Sequence, residues 1–294
     1  MGKSLELSGI APEEARSLSR MLGRHLVTRN RREISSSYLG RLTYRMLIRE
    51  VDKPAAHSYL VWRDFRRSGT PLLLLIGGAP GSGKSTIATA LASQLDIFRT
   101  QSTDMLREIM RMMMPERLLP ILHRSSFDAW RALPTGDSDL PGDHDDLISR
   151  GYRSQSELLT VSCEAVVQRA VRERVSMVLE GVHIDATMVN RLRDSGDIIV
   201  VPVVLAVLKQ DQLRKRIRGR GGTVPHRRAE RYLKNFDAIW QLQSYLLSEA
   251  DREKMPIVAN EDRGSTVAEI IRIIGEHLAR RLEPTLKQVF PPAS

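Results

Sequence analysis

Residues 78–85 read Gly78-Ala79-Pro80-Gly81-Ser82-Gly83-Lys84-Ser85 and fit the pattern G-x-x-x-x-G-K-[ST]. Glycines at these positions allow positive φ and close backbone approach, so successive amides and the amino terminus of a following helix converge on a phosphate. Lys84 is placed to bridge β- and γ-phosphate oxygens. The Ser85 hydroxyl is placed to ligate the magnesium that neutralises them, and Thr86 to support the α-phosphate. The chemistry expected here is binding and activation of ATP, with Gly78 to Thr86 as the binding segment.

Further along, Ser102-Thr103-Asp104 precedes a helical stretch that carries Arg107 and Arg111. A carboxylate at Asp104 would accept or orient the proton of an acceptor hydroxyl, and it also suits a helix N-cap. Arg107 and Arg111, spaced i and i+4, would share one helix face and grip an acceptor phosphate or carboxylate. Leu179-Glu180-Gly181-Val182-His183 brings a second carboxylate. Glu180 is expected to hold a magnesium water beside the substrate, and His183 either touches substrate or is structural. A single Glu followed by Gly, where hydrolytic motors carry an Asp-Glu pair, points to transfer rather than hydrolysis. The run Leu213 to Arg220 holds five positive side chains in seven residues before a Gly pair. It reads either as a closing lid whose Arg216 and Arg220 stabilise the transferring phosphoryl group, or as a solvated basic face.

Short apolar runs alternating with helical stretches must position these groups. Leu72 to Gly77, Ile97 to Ser102, Ser176 to Glu180, Ile198 to Val207 and Pro256 to Ala259 read as strands. The expected architecture is α/β, a P-loop NTPase kinase-type parallel five-stranded sheet flanked by helices. Pro202 is awkward inside the fourth run, because proline cannot donate to a ladder. Residues from about Pro12 to Phe65 lack strand-like alternation, and residues 1–69 are expected to form a small helical domain; Gly69 and Pro71 mark its end, and residues 70–294 are expected to form the kinase domain. Leu133 to Asp146 has loop composition, suited to an insert over the substrate.

The 294 residues carry 45 Lys and Arg against 35 Asp and Glu, a net charge of +10, which favours anionic partners. Trp240, Tyr232, Tyr245 and Phe236 follow the basic run at intervals suited to core packing rather than interleaving with it as a base-stacking platform does, and nucleic acid is not the expected partner. The longest apolar run, Ile198 to Leu208, is about half the ~20 residues a membrane helix needs, so no span is expected. One cysteine, Cys163, and a polar amino terminus fit a cytoplasmic protein, with Cys163 expected half-buried in a helix. Nothing in the sequence bears on oligomeric state.

The motifs STDMLREIMR, PILHRSSFDAW, GYRSQ, LEGVHI and RYLKNFDAIWQLQSYL, together with the phosphate loop, resemble the 2-phosphoglycerate kinase family over about residues 10 to 275. The resemblance implies ATP- and magnesium-dependent phosphorylation of 2-phosphoglycerate to 2,3-bisphosphoglycerate. Its amino-terminal part, ISSSYLGRLTYRMLIRE and AAHSYLVWRDFRRS, is similar to an ATP-cone domain. Asp185-Ala186-Thr187 departs from the Pro-Gly pair expected after LEGVHI. The alternatives are a kinase for another anionic acceptor (an inositol phosphate or sugar nucleotide), a nucleic-acid-directed kinase and an ATP-sensing regulator.

Overall fold

β1 (Leu72–Gly77) is buried at all six positions, as a strand covered on both faces must be. The computed structural model describes residues 2–28, 33–134, 144–194, 196–219 and 226–291. It divides into two compact units, Pro71–Val267 and Met1–Thr70 with Ala268–Ser294.

In the unit Pro71–Val267, β1 is joined by β2 (Arg99–Ser102), β3 (Met177–Glu180), β4 (Ile199–Ala206) and β5 (Ile257–Ala259). Their order is β2-β3-β1-β4-β5, with all neighbours parallel. The chain leaves β1, skips the β3 position to lay down β2 at the edge, and returns, so a crevice opens above the carboxyl ends of β1 and β3. β2 starts two residues later than expected. Helix α5 (Lys84–Leu95) ends on Asp96 in the left-handed region (φ 58°), and Ile97 N–H still bonds back to Ala92 O at 2.8 Å.

Pro202 sits mid-strand in β4, opposite Leu75 of β1. Val204 N–H points to the β5 side, where it donates to Pro256 O at 2.9 Å, and amides two residues apart point the same way. Pro202 therefore faces the β5 side below the point where that ladder begins at Val204, and no donor is lost.

The helices around the sheet are α6 (Thr103–Met113), α7 (His144–Arg172), α8 (Ala186–Arg193), α9 (Gln210–Gly219), α10 (His226–Lys234) and α11 (Phe236–Arg252), with 3-10 turns at Pro120–His123 and Ala129–Ala132. One core cluster joins Leu73 and Leu75 to Cys163, Val167, Leu179 and Met188. Cys163 is wholly buried there rather than half-buried, and burial pushes its thiol up to about 12. The aromatics after the basic run pack: Phe236 stacks on Trp240, Tyr245 meets Tyr152, and Tyr232 meets Phe127. Most of the expected insert, residues 135–143, lies outside the described residues. No described helix is long and apolar enough to cross a membrane.

The other unit is helical: α1 (Gly2–Glu6), α2 (Pro12–Thr28), α3 (Ser36–Glu50), α4 (Lys53–Ser68) and α13 (Leu286–Val289). Residues 268–279 of α12 (Arg263–Ala279) also belong to this unit. Ser35 caps α3 through Tyr38 N–H, Asp52 caps α4 through Ala55 N–H, and Gly69 in the left-handed region ends it. Residues 268–294, assigned from the sequence to the second domain, group instead with the first 70. The reason is Phe290, which is 2% exposed and packs against Tyr59, with Arg41 Nε donating to its carbonyl.

Candidate functional site

The loop after β1 makes close backbone approaches that glycine alone permits. A Cβ on Gly78 (φ 135°) would lie 2.6 Å from Leu205 O, and one on Gly83 (φ 90°) 2.5 Å from Asn260 Nδ2. Gly83 is the N-cap of α5, so the first amides of that helix face the loop. Ala79, Pro80, Gly81 and Ser82 are buried, with Ser82 N–H donating to Ala79 O at 3.1 Å. Lys84, 7% exposed, bends back over the loop and donates from Nζ to Ala79 O at 3.0 Å. Ser85 and Thr86 are exposed on the first turn. Ser82 Oγ is buried without a partner among the described residues, a polar group available to a bound oxygen.

Two residues buttress this loop from the β5 side. Asn260, directly after β5, donates from Nδ2 to Ser82 O at 2.7 Å, and its Oδ1 accepts from Thr266 Oγ1 at 3.2 Å. Sequence reasoning missed it; the available signal was an amide side chain at the carboxyl end of a strand. Arg216 on α9 donates from Nη1 to Ser82 O at 3.3 Å and from Nη2 to Asn260 O and, at 3.5 Å, to Glu261 O. The guanidinium of Arg216, expected in a lid, is bound to three carbonyls at the flank of the loop, and burial lowers its pKa. Arg220 lies outside the described residues.

Glu180 ends β3, paired with Ile76 of β1 and Ser102 of β2. Its Oε1 accepts from Ser85 Oγ at 2.9 Å, and the side chain is largely buried. Two hard oxygens beside a phosphate loop suit a divalent cation that shares phosphate ligands.

On α6, Ser102 is the N-cap, accepting from Met105 N–H at 3.0 Å, which leaves Asp104 uncapped in role and exposed. Asp104 Oδ1 is 3.7 Å from Arg107 Nη2. Arg107 also donates from Nη1 to Arg124 O. The Nε atoms of Arg107 and Arg124 are both buried without a partner among the described residues. Arg111 does not join Arg107 as expected, because Glu108 one turn back holds it at 2.7 Å.

His183, expected either to touch substrate or to be structural, is wholly buried. Its Nδ1 lies 3.1 Å from Thr103 Oγ1 and its Nε2 2.9 Å from Gln155 Oε1, and Tyr152 stacks alongside at 6.2 Å. Burial drives its pKa down to about 3, against the opposing pull of Asp104, so the ring is neutral. Gly181 makes the packing possible, since a Cβ there would fall 1.8 Å from Thr103 Oγ1.

A parallel sheet in this order, with a phosphate loop at the end of β1 and a carboxylate at the end of β3, defines a nucleotide-using P-loop phosphotransferase. The chain is 33% identical to a 2-phosphoglycerate kinase of Pyrococcus horikoshii, covering 92% of this chain and 87% of that one. It is 34% identical to that of Thermococcus kodakarensis (92% and 89%) and 31% to that of Methanopyrus kandleri (95% and 84%). The chain belongs to the 2-phosphoglycerate kinase family. Residues 59–116 also match the Zeta toxin family. Among solved structures, a gluconokinase from Sinorhizobium meliloti 1021 aligns with a TM-score of 0.40 at 20% identity, over 72% of this chain and 94% of that one.

Proposed function

We propose that this kinase transfers the γ-phosphoryl group of ATP to the free hydroxyl of 2-phosphoglycerate, giving 2,3-bisphosphoglycerate and ADP. Kinship with 2-phosphoglycerate kinases over about nine-tenths of the chain carries this reading. The Nε atoms of Arg107 and Arg124, without a partner among the described residues, and Arg107 beside Asp104 support an acceptor that is already anionic.

Amides of the loop from Gly78 to Gly83 and the Lys84 ammonium hold the β- and γ-phosphates, and Thr86 supports the α-phosphate. Ser85 and Glu180 would hold magnesium, which supplies neutralisation of phosphate charge. Asp104 accepts the proton of the acceptor hydroxyl as its oxygen bonds to the γ-phosphorus and the bond to the bridging oxygen of ADP breaks. Arg107 and Arg124 hold the acceptor's phosphate or carboxylate, and Arg216 and Asn260 keep the loop in shape. A chain with one buried cysteine suits a reducing, cytoplasmic setting.

Coupled ADP release with ATP and magnesium tests this, using 2-phosphoglycerate, 3-phosphoglycerate and an inositol phosphate as acceptors. Selective stimulation by 2-phosphoglycerate, lost in Asp104→Asn and in Lys84→Ala, is expected. Stimulation by another acceptor alone overturns the substrate, and no stimulation by any overturns acceptor transfer.

A further inference from the structure

A hydrogen-bonded ring, closed on helix α6, links the parts of the acceptor side. Thr103 Oγ1 lies 3.1 Å from His183 Nδ1, and His183 Nε2 lies 2.9 Å from Gln155 Oε1. Gln155 Nε2 then donates to Ile121 O at 2.5 Å and to Arg124 O at 3.1 Å. Arg124 O also accepts from Arg107 Nη1, which returns the ring to α6, one turn beyond Thr103. Thr103, Gln155 and His183 are all fully buried.

The direction of every bond follows from donor and acceptor chemistry. Two carbonyls face one end of the Gln155 amide, so that end is the NH2, and its oxygen faces the imidazole. His183 therefore carries its proton on Nε2, and the bare Nδ1 accepts the Thr103 hydroxyl proton. Nothing in the ring is left unsatisfied at these atoms. What the ring sets is the placement of its two α6 ends, Thr103 beside Asp104 and the Arg107 guanidinium.

We propose that Thr103, His183 and Gln155 are positioning residues that hold Asp104 and Arg107 in the geometry that binds the anionic acceptor, separately from the phosphate loop. This rests on the acceptor reading given above. Asn260 and Arg216, which hold Ser82 O of the phosphate loop, stand outside the ring, so breaking the ring is expected to act on the acceptor and spare ATP.

Thr103→Val removes one hydroxyl at nearly constant volume, Thr103→Ser restores it, and Gln155→Leu cuts the ring at its far side. With each variant, steady-state kinetics for both substrates are measured alongside amide hydrogen exchange of α6 and α5. Thr103→Val and Gln155→Leu are expected to raise KM for 2-phosphoglycerate about tenfold, the scale of one buried hydrogen bond, while KM for ATP stays within about twofold. Thr103→Ser returns to the parent value, and α6 exchanges faster while α5 does not. The proposal is overturned if α6 loosens with the acceptor KM unchanged, if both KM values rise together, or if α6 exchange is unaltered. Should the parent protein show no acceptor stimulation, the substrate reading fails on that result alone, and α6-selective exchange still decides whether the ring holds α6.

Discussion

Ser85 Oγ donates a 2.9 Å hydrogen bond to Glu180 Oε1, joining the first turn of α5 to the end of β3 across 95 residues of sequence. The contact exists because β1 and β3 are neighbours with Ile76 opposite Glu180, so the loop leaving β1 passes over the last residue of β3. A hydroxyl and a carboxylate brought together in this way are positioned by the sheet rather than by either loop.

Replacing Glu180 by Gln keeps an acceptor for Ser85 but removes the charge. The expected result is a fall in kcat on the order of 100-fold and a higher half-saturating magnesium concentration, with thermal stability little changed. A magnesium titration in the coupled ADP assay reads both, and an unchanged metal dependence would count against Glu180 as a cation ligand.

Arg216 holds the loop from outside, through the carbonyls of Ser82, Asn260 and Glu261. Arg216→Ala is expected to raise KM for ATP by about tenfold or more, in line with loss of charged hydrogen bonds. Arg216→Lys should recover little of it, because an ammonium cannot fork across separated carbonyls. Initial rates over an ATP series distinguish this from a lid residue, whose loss would lower kcat with KM for ATP unmoved.

His183 makes stability depend on acid. Its folded pKa, about 3, lies below the ordinary 6.5, so between these values the unfolded chain binds a proton that the folded protein refuses. The contribution of neutral His183 is complete above about pH 6.5 and is lost progressively as pH falls toward 3. Melting temperatures measured from pH 7.5 down to 4 should decline, and the slope should shrink in His183→Gln, which cannot titrate. An equal slope in both proteins would remove His183 as the cause.

Phe290 closes the core of the helical unit, stacked 6.0 Å from Tyr59, under the Arg63 guanidinium at 5.7 Å and against Gly40, whose added Cβ would meet the ring at 1.9 Å. Phe290→Ala should destabilise that unit by about 3–5 kcal/mol, the usual cost of emptying a buried aromatic site. Gly40→Ala should also destabilise it, by overpacking rather than by a cavity. Denaturant unfolding followed by the fluorescence of Trp62, buried in the same unit, reports both.

Much of this was legible in the residues themselves. The phosphate loop is a local device, in which glycine spacing, a lysine and a hydroxyl act within eight positions, so a pattern along the chain suffices to find it. The five strands were found for a similar reason, since central parallel strands such as Leu72–Gly77 are apolar on both faces. Their boundaries shifted where a backbone conformation intervened, as at Asp96.

What residue spacing could not decide is which side chains are already engaged. Arg107 and Arg111 share helical spacing, yet Glu108 takes Arg111 while Arg107 reaches a carbonyl 17 residues away. Arg216, which could have been a lid cation or a solvated charge, binds three carbonyls beside the loop, and His183, which could have touched substrate or been structural, lies inside the protein. Asn260, marked only by its place at the end of a strand, and Gln155 meet their partners, Ser82 at 178 residues and His183 at 28, only when the sheet assembles. By itself the sequence determined the elements, the phosphate loop and the kinase class, all of which rest on short-range periodicity and spacing. The tertiary structure alone decided which charged and polar groups are satisfied and which remain available to a ligand, because burial and long-range hydrogen bonding are properties of the packed chain.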